Sequence, residues 1–295
     1  MSDGVGIEAS GDAPGPAGAD DTQPEVRLRL PALPANVALV RQALAGLAED
    51  LEVDPTRAAD MKIALTEACT NVVVHAYDDE PGPLEVTMAV DHGRLVLSVR
   101  DRGSGLRPLP AREEGGAPLG FGLALIASLS DEVGIVAGRH GTELRIAFSL
   151  DGAAAPPLAM QPSTEAPAVQ DGIVLCLRPP DRTSPVLGRV VSLVAARADF
   201  SIDRLSDAQI VSDAIAGAAG AYVQDGVLEV AIDEQEQGFE LVVGPLVAGG
   251  GRRLVADTEL PGLGCLLERL TDALSVEPLA DAEGERLRAK LAPRS

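Results

Sequence analysis

The stretch Leu65-Thr66-Glu67-Ala68-Cys69-Thr70-Asn71-Val72-Val73-Val74-His75-Ala76-Tyr77 decides how this chain is read. Upstream of it, Asp54-Pro55 supplies an N-cap and an N1 proline, which predicts a helix running to about His75. Residues four apart share a helical face, so Glu67 and Asn71 point into one place. A carboxylate beside a carboxamide suits a hydrated Mg²⁺ and a positioned nucleophile. Polar pairs at this spacing also line ordinary solvated faces. Here the rest of the helix is apolar (Ile63, Leu65, Ala68, Val72, Val73), which favours a site. His75, at the helix end, reads as a partly buried structural histidine.

Two further clusters follow in order. Asp101-Arg102-Gly103-Ser104-Gly105 stands directly after the strand-like Arg94–Asp101. An aspartate at a strand end can accept from an exocyclic amine such as that of adenine, and glycines let backbone approach a ligand. Gly120-Phe121-Gly122-Leu123 opens a helix, whose first N–H groups and positive dipole end suit phosphates. Gly141-Thr142 then precedes a last strand, GTELRIAFSL. Around these clusters the apolar spacing predicts a strand at 26–30, a helix at 35–51, and strands at 84–90 and 94–101 joined at His92-Gly93. A Gly- and Pro-rich loop at 103–119 leads into the helix starting near Gly122. This mixture without strict βαβ alternation predicts an α+β fold, a two-layer sandwich with helices on one face of a mostly antiparallel sheet.

The chain has 295 residues, enough for two compact domains. Hydrophobic residues make up 46%, so real cores are expected. Four Phe and two Tyr are the only aromatic residues, so those cores must be aliphatic. Lys and Arg number 24 against 45 Asp and Glu, a formal charge of −21. That balance argues against direct nucleic-acid binding and against gripping an anionic membrane. Cys69, Cys176 and Cys265 are far apart and odd in number, which suits neither a disulfide framework nor a zinc site. The N-terminal stretch lacks the basic and apolar regions of a signal peptide, and no apolar run approaches a membrane span. A soluble, reduced, cytoplasmic protein is expected.

Residues 1–24 read as a disordered tail and 151–172, rich in Pro and small residues, as a linker. Two bodies remain, 25–150 and 173–292. With an offset of 147, Leu28 and Leu30 fall on Leu175 and Leu177, and Val40, Leu44 and Leu47 on Leu187, Val191 and Val194. After a three-residue deletion, 227–232 and 239–243 match 83–88 and 95–99. An internal duplication is the favoured reading of this pattern. In the second body Glu67 becomes Ala214, Asn71 becomes Ala218 and Asp101 becomes Pro245, so that copy is expected not to bind a nucleotide.

In this order and spacing the clusters of the first body resemble the Bergerat-fold ATPase superfamily, which includes gyrase, MutL and sensor histidine kinases. The stretch at 65–77 is similar to the first motif of its RsbW-type anti-sigma-factor serine-protein kinases, and the resemblance covers about 26–150. It implies ATP and Mg²⁺ as cofactors, with Glu67 as general base and Asn71 as the metal ligand. Asp101 would bind the adenine amine, Gly103 and Gly105 would shape the pocket, and Thr142 would back the base. Gly120 and Gly122, with Leu123 behind them, would bracket the triphosphate. Residues 106–119 would form the ATP lid, with Gly115-Gly116 as hinge. The partners implied are a sigma factor and its small antagonist protein, the latter phosphorylated on serine. No histidine precedes the second helix as a sensor histidine kinase requires, and nothing resembles the transducer domain of gyrase or MutL. A binding switch without phosphoryl transfer and a detached histidine-kinase module remain the alternatives. The second body would then be a degenerate copy docked on the first, in the manner of a dimer within one chain; a homodimer is the other arrangement open.

Overall fold

The computed structural model describes residues 25–78, 80–103, 120–138, 141–150, 156–158, 172–180, 184–262, 264–279 and 284–293. The predicted tail, the lid at 106–119 and nearly all of the predicted linker lie outside them. The first half runs β1 (Glu25–Pro31), α1 (Pro34–Asp50), α2 (Pro55–His75), β2 (Pro83–Asp91), β3 (Arg94–Asp101), α3 (Gly120–Leu129), β4 (Glu132–Gly138) and β5 (Gly141–Ser149). The second runs β6 (Ile173–Arg178), α4 (Ser184–Arg197), α5 (Ile202–Ala219), a single 3₁₀ turn at Gln224–Gly226, β7 (Leu228–Gln235) and β8 (Gly238–Leu246). It continues through α6 (Gly250–Asp257), β9 (Glu259–Leu260), β10 (Gly264–Cys265), α7 (Leu266–Leu270), β11 (Ala273–Pro278) and β12 (Glu285–Leu291). The fold is α+β, as the apolar spacing predicts. No described helix is long and apolar enough to cross a membrane.

Local chemistry accounts for the elements. In β1, Val26, Leu28 and Leu30 are buried and alternate with half-buried Arg27 and Arg29, the period of a strand with one face on a core. Asp54 caps α2, its Oδ1 accepting from the N–H groups of Thr56 (2.9 Å) and Arg57 (3.3 Å), while Pro55 starts the helix. His92 and Gly93 both take positive φ, 49° and 74°, the two-residue turn whose twist matches a hairpin. Strand β4 is absent from the sequence prediction. Gly134, Ala137 and Gly138 dilute its alternation, and pairing with β5 along its whole length makes it a strand. Ile63, counted above with the apolar positions of α2, is 47% exposed.

Both halves build one ten-stranded antiparallel sheet in the order β11-β12-β8-β7-β6-β1-β2-β3-β5-β4. Within each half the element order and the strand order are the same, with α6, β9 and β10 added in the second. A single row of aliphatic residues crosses all ten strands. It steps from Val276 to Leu287, Val243, Val230 and Leu175, then across the junction to Leu28 and on through Val86, Val99, Leu144 and Ile135. The helices pack α3-α2-α1-α4-α5 and cover the sheet from one side, so a continuous apolar core lies beneath them.

Each half also carries the same arginine clasp. Arg57, at the start of α2, donates to the Leu129 carbonyl (3.2 Å) and to Asp131 Oδ2, which also accepts from Ser149 N–H. Arg204, at the start of α5, donates to the Leu270 carbonyl (2.5 Å) and to Asp272 Oδ2, which also accepts from Ala292 N–H. Each thus ties a long helix to the junction between a short helix and the next strand. The two differ in burial. The Arg204 side chain is 2% exposed and also bonds Asp207 and the Ala292 carbonyl, whereas Arg57 is 27% exposed. Removing one member of a buried charged network leaves the other desolvated and unpaired. Arg204→Ala is therefore expected to cost about 3–5 kcal/mol of unfolding free energy, and Arg57→Ala about 1 kcal/mol. Urea unfolding of the two variants beside the parent checks the order.

Candidate functional site

The last turns of α2, the end of β3, the start of β5 and the first half of α3 converge on one cavity. Asn71, Val72, His75, Asp101, Leu123 and Thr142 line it, with Ala68, Ala76, Val99, Ile135 and Leu144 forming its apolar floor and walls. The space between them is open to solvent. It therefore holds a few polar groups in a mainly aliphatic surround.

Asp101 closes β3 and is 7% exposed. Its Oδ1 accepts from Gly103 N–H (2.8 Å) and from Thr142 N–H (3.2 Å). Those two donors orient the carboxylate and leave Oδ2 to accept from a ligand. Burial raises the Asp101 carboxyl above its ordinary pKa, and the two amide donors offset part of that rise. Thr142 thus contributes its backbone as a donor to Asp101 as well as lining the cavity.

Glycine is required on both sides of this turn by close approach. A methyl at Gly103 would stand 2.0 Å from the Ala76 carbonyl oxygen, and one at Gly141, where φ is +120°, 2.0 Å from the Asp101 carbonyl oxygen. The end of α2, the Asp101 turn and the start of β5 are pressed together without side chains between them. Tyr77, which sequence reading did not single out, locks the same contact. Its hydroxyl donates to the Pro83 carbonyl (2.6 Å) and accepts from Arg102 N–H (2.8 Å). Its ring lies over Gly82, where a methyl would come within 2.1 Å of the ring. The available signal was the position of Tyr77 at the end of the 65–77 stretch.

Glu67 stands one turn before Asn71 on α2, against the start of α3, and is not among the residues that line the cavity. A methyl on Gly122 would come 2.5 Å from Glu67 Oε1, so the carboxylate abuts the first turn of that ten-residue helix. The arrangement brings Asn71, Asp101, Leu123 and Thr142 around one space, with Gly103 supporting Asp101 and Glu67 and Gly122 adjoining one another. Gly120 is the first residue of α3. Gly105 and Gly115-Gly116 lie outside the described residues. The reading of His75 as a partly buried structural histidine is corrected: it is exposed and lines the cavity, at the end of α2.

The residues present fit a nucleotide. A buried carboxylate keeps one free oxygen, apolar walls suit a base, and the N-terminus of α3 suits phosphates. They fit Mg²⁺ in a limited sense. No cluster of three or more His, Cys, Asp or Glu able to hold a metal occurs among the described residues. Asn71 would be a lone protein ligand, and Mg²⁺ commonly keeps phosphate oxygens and waters for the remainder of its octahedron.

Residues 30–148 match the model of the histidine kinase-like ATPase domain. The serine-protein kinase RsbW of Bacillus anthracis is 32% identical over 123 residues, 38% of this chain and 77% of that protein. The protein of the same name from Bacillus pumilus is 33% identical over 132 residues, 40% of this chain and 82% of that protein. Among solved structures, the RsbU and RsbW domains of a Mycobacterium tuberculosis protein align at 26% identity with a TM-score of 0.35, covering 43% of this chain and 32% of that one. Through its first half, the chain belongs to the RsbW family of histidine kinase-like ATPases.

Proposed function

We propose that the first half binds a sigma factor and holds it inactive, and that it binds ATP with Mg²⁺ and transfers the γ-phosphoryl group to a serine of an anti-sigma-factor antagonist, which then no longer competes. The observation that carries the nucleotide part is the Asp101 carboxylate, held by two amide donors in an aliphatic pocket with one oxygen free. That oxygen accepts from the adenine amine. The backbone N–H groups at Gly120 and Gly122 meet the phosphates at the head of α3. When bound, Mg²⁺ neutralises charge on the phosphates, with Asn71 as its protein ligand. Glu67, beside Gly122, takes the proton of the incoming serine hydroxyl as its oxygen bonds to the γ-phosphorus and ADP leaves. The acidic surface is compatible with a basic protein partner. Members of this family are named as serine-protein kinases, which supports transfer to serine over a purely ATP-gated switch.

Calorimetric titration of Mg-ATP checks the site. The parent chain is expected to take one nucleotide, and Asn71→Ala and Asp101→Asn to weaken binding by about 10–100-fold, the range for a lost hydrogen bond to a charged group. Asp101→Asn separates binding from folding. A carboxyl whose folded pKa is raised costs stability above that pKa, and the cost disappears as pH falls below it. The variant keeps an oxygen for Gly103 and Thr142, so its Tm is expected to equal or exceed the parent's at neutral pH, with the difference vanishing in acid.

Glu67→Gln is expected to bind ATP within about twofold of the parent while phosphorylation of the antagonist falls by about 10²–10⁴-fold. Undiminished phosphorylation would remove Glu67 from the chemistry, and a product labile to acid would point to histidine as acceptor. Tyr77→Phe retains the ring over Gly82 and loses both hydroxyl hydrogen bonds. It is expected to raise the dissociation constant for ATP about fivefold with little change in turnover at saturation, because Tyr77 positions the Asp101 turn without touching the phosphates.

A further inference from the structure

The junction between the halves has the symmetry of a two-fold contact and the charges of an unlike pair. Leu28 of β1 faces Val86 in its own half, and Leu175 of β6 faces Val230 in its own, so the two leucines hold equivalent places. They also face each other across the junction. A local two-fold axis therefore passes between Leu28 and Leu175, the arrangement that two copies of one half would make on pairing.

The residues around that axis do not suit two copies. If β1 of a second chain replaced β6 in the same register, Arg27 would face Arg29 of the copy, twice, on one face of the sheet. Like charges directly opposite destabilise a strand pair. In the actual junction Arg27 faces Cys176, Arg29 faces Val174 and Glu25 faces Arg178. The helices repeat the asymmetry. Arg189 of α4 donates twice to Glu49 of α1, at 3.1 and 2.5 Å, and its equivalent on α1 is Gln42. Arg197 donates to Asn36 Oδ1 (3.3 Å) and to the Ala35 carbonyl, and its equivalent on α1 is Asp50. A copy of α1 in the place of α4 would thus set a carboxylate against those two oxygens. Close contact seals the fit: a methyl on Gly46 would lie 2.7 Å from Val186 Cα.

The second half is also shut where a nucleotide would sit. Its counterpart of Thr142 is Glu285, whose carboxylate accepts from Gly251 N–H (3.0 Å) at the start of α6. The adjoining Gly250 lies against Tyr222 and Leu246, at the place the cavity takes in the first half. With Ala218 and Pro245 in place of Asn71 and Asp101, the polar groups of a nucleotide site are gone and α6 fills its position.

We infer that the second half is a resident partner. It occupies the β1–α1 face where a second copy would pair, and the arginines of α4 and β6 match that face to this partner and against self-pairing. The protein is then a closed, one-chain unit, and other proteins dock away from this face. This goes beyond the nucleotide reading, and its test does not use nucleotide. Arg27→Cys, in a Cys265→Ser background, places a thiol opposite Cys176. A short bismaleimide is expected to link the two within one chain, and light scattering to give the mass of one chain, 30.3 kDa, across micromolar concentrations. Arg29→Cys with Val174→Cys in the same background is a second pair should the first variant fail to fold. A two-chain mass would overturn the closed one-chain unit even with the link still inside each chain. Two chains joined through position 27 of each, or linked from position 27 of one to Cys176 of the other, would overturn it.

Discussion

Antiparallel pairing of β1 with β6 joins two five-stranded sheets that would each otherwise end in an open edge. An unpaired edge strand exposes a row of N–H and C=O groups and invites pairing with another chain. Here each half closes the edge of the other, and the aliphatic row crosses from Leu175 to Leu28 without a break. The helix layer follows from the same contact. Once β1 and β6 are paired, α1 and α4 lie side by side above them, and Gly46 allows α1 to reach the backbone of α4. Neither five-stranded sheet then needs its own boundary of polar residues at this edge, and one core serves both.

The candidate site uses the rigidity this provides. Asp101 sits where β3 leaves the sheet, so its backbone is fixed by β2 on one side and by the start of β5 on the other. Holding a carboxylate in an aliphatic pocket is unfavourable, and the N–H groups of Gly103 and Thr142 repay only part of the cost. That residual cost is what a complementary donor on a ligand relieves. Tyr77 and the glycines at 82, 103 and 141 keep the turn in place without filling the pocket, which a larger side chain at any of the three would disturb. The second half has the same framework, including the arginine clasp on Arg204, without those polar groups. The clasp therefore belongs to the fold and the carboxylate to the site.

The elements carrying the strongest chemistry were legible in the sequence. Pro55 and Asp54 fix the start of α2, alternation fixes β1 and β3, and Glu67 and Asn71 share a face because helical geometry requires it. Strand β4 was hidden because glycine and alanine carry no alternation, and the exposure of Ile63 and His75 depends on what packs over α2, which no local pattern encodes. Tyr77 was missed because a tyrosine at a helix end has no distinctive spacing; its role comes from Pro83 and Arg102, reached only when the chain folds back. The residues alone carry the order of the motifs, their helix or strand setting and the presence of Ala214, Ala218 and Pro245 in the second half. Only packing puts the two halves in one sheet, leaves one Asp101 oxygen free and sets Glu285 against the start of α6. Those features depend on long-range strand register and on burial, which are properties of the packed chain and not of any segment within it.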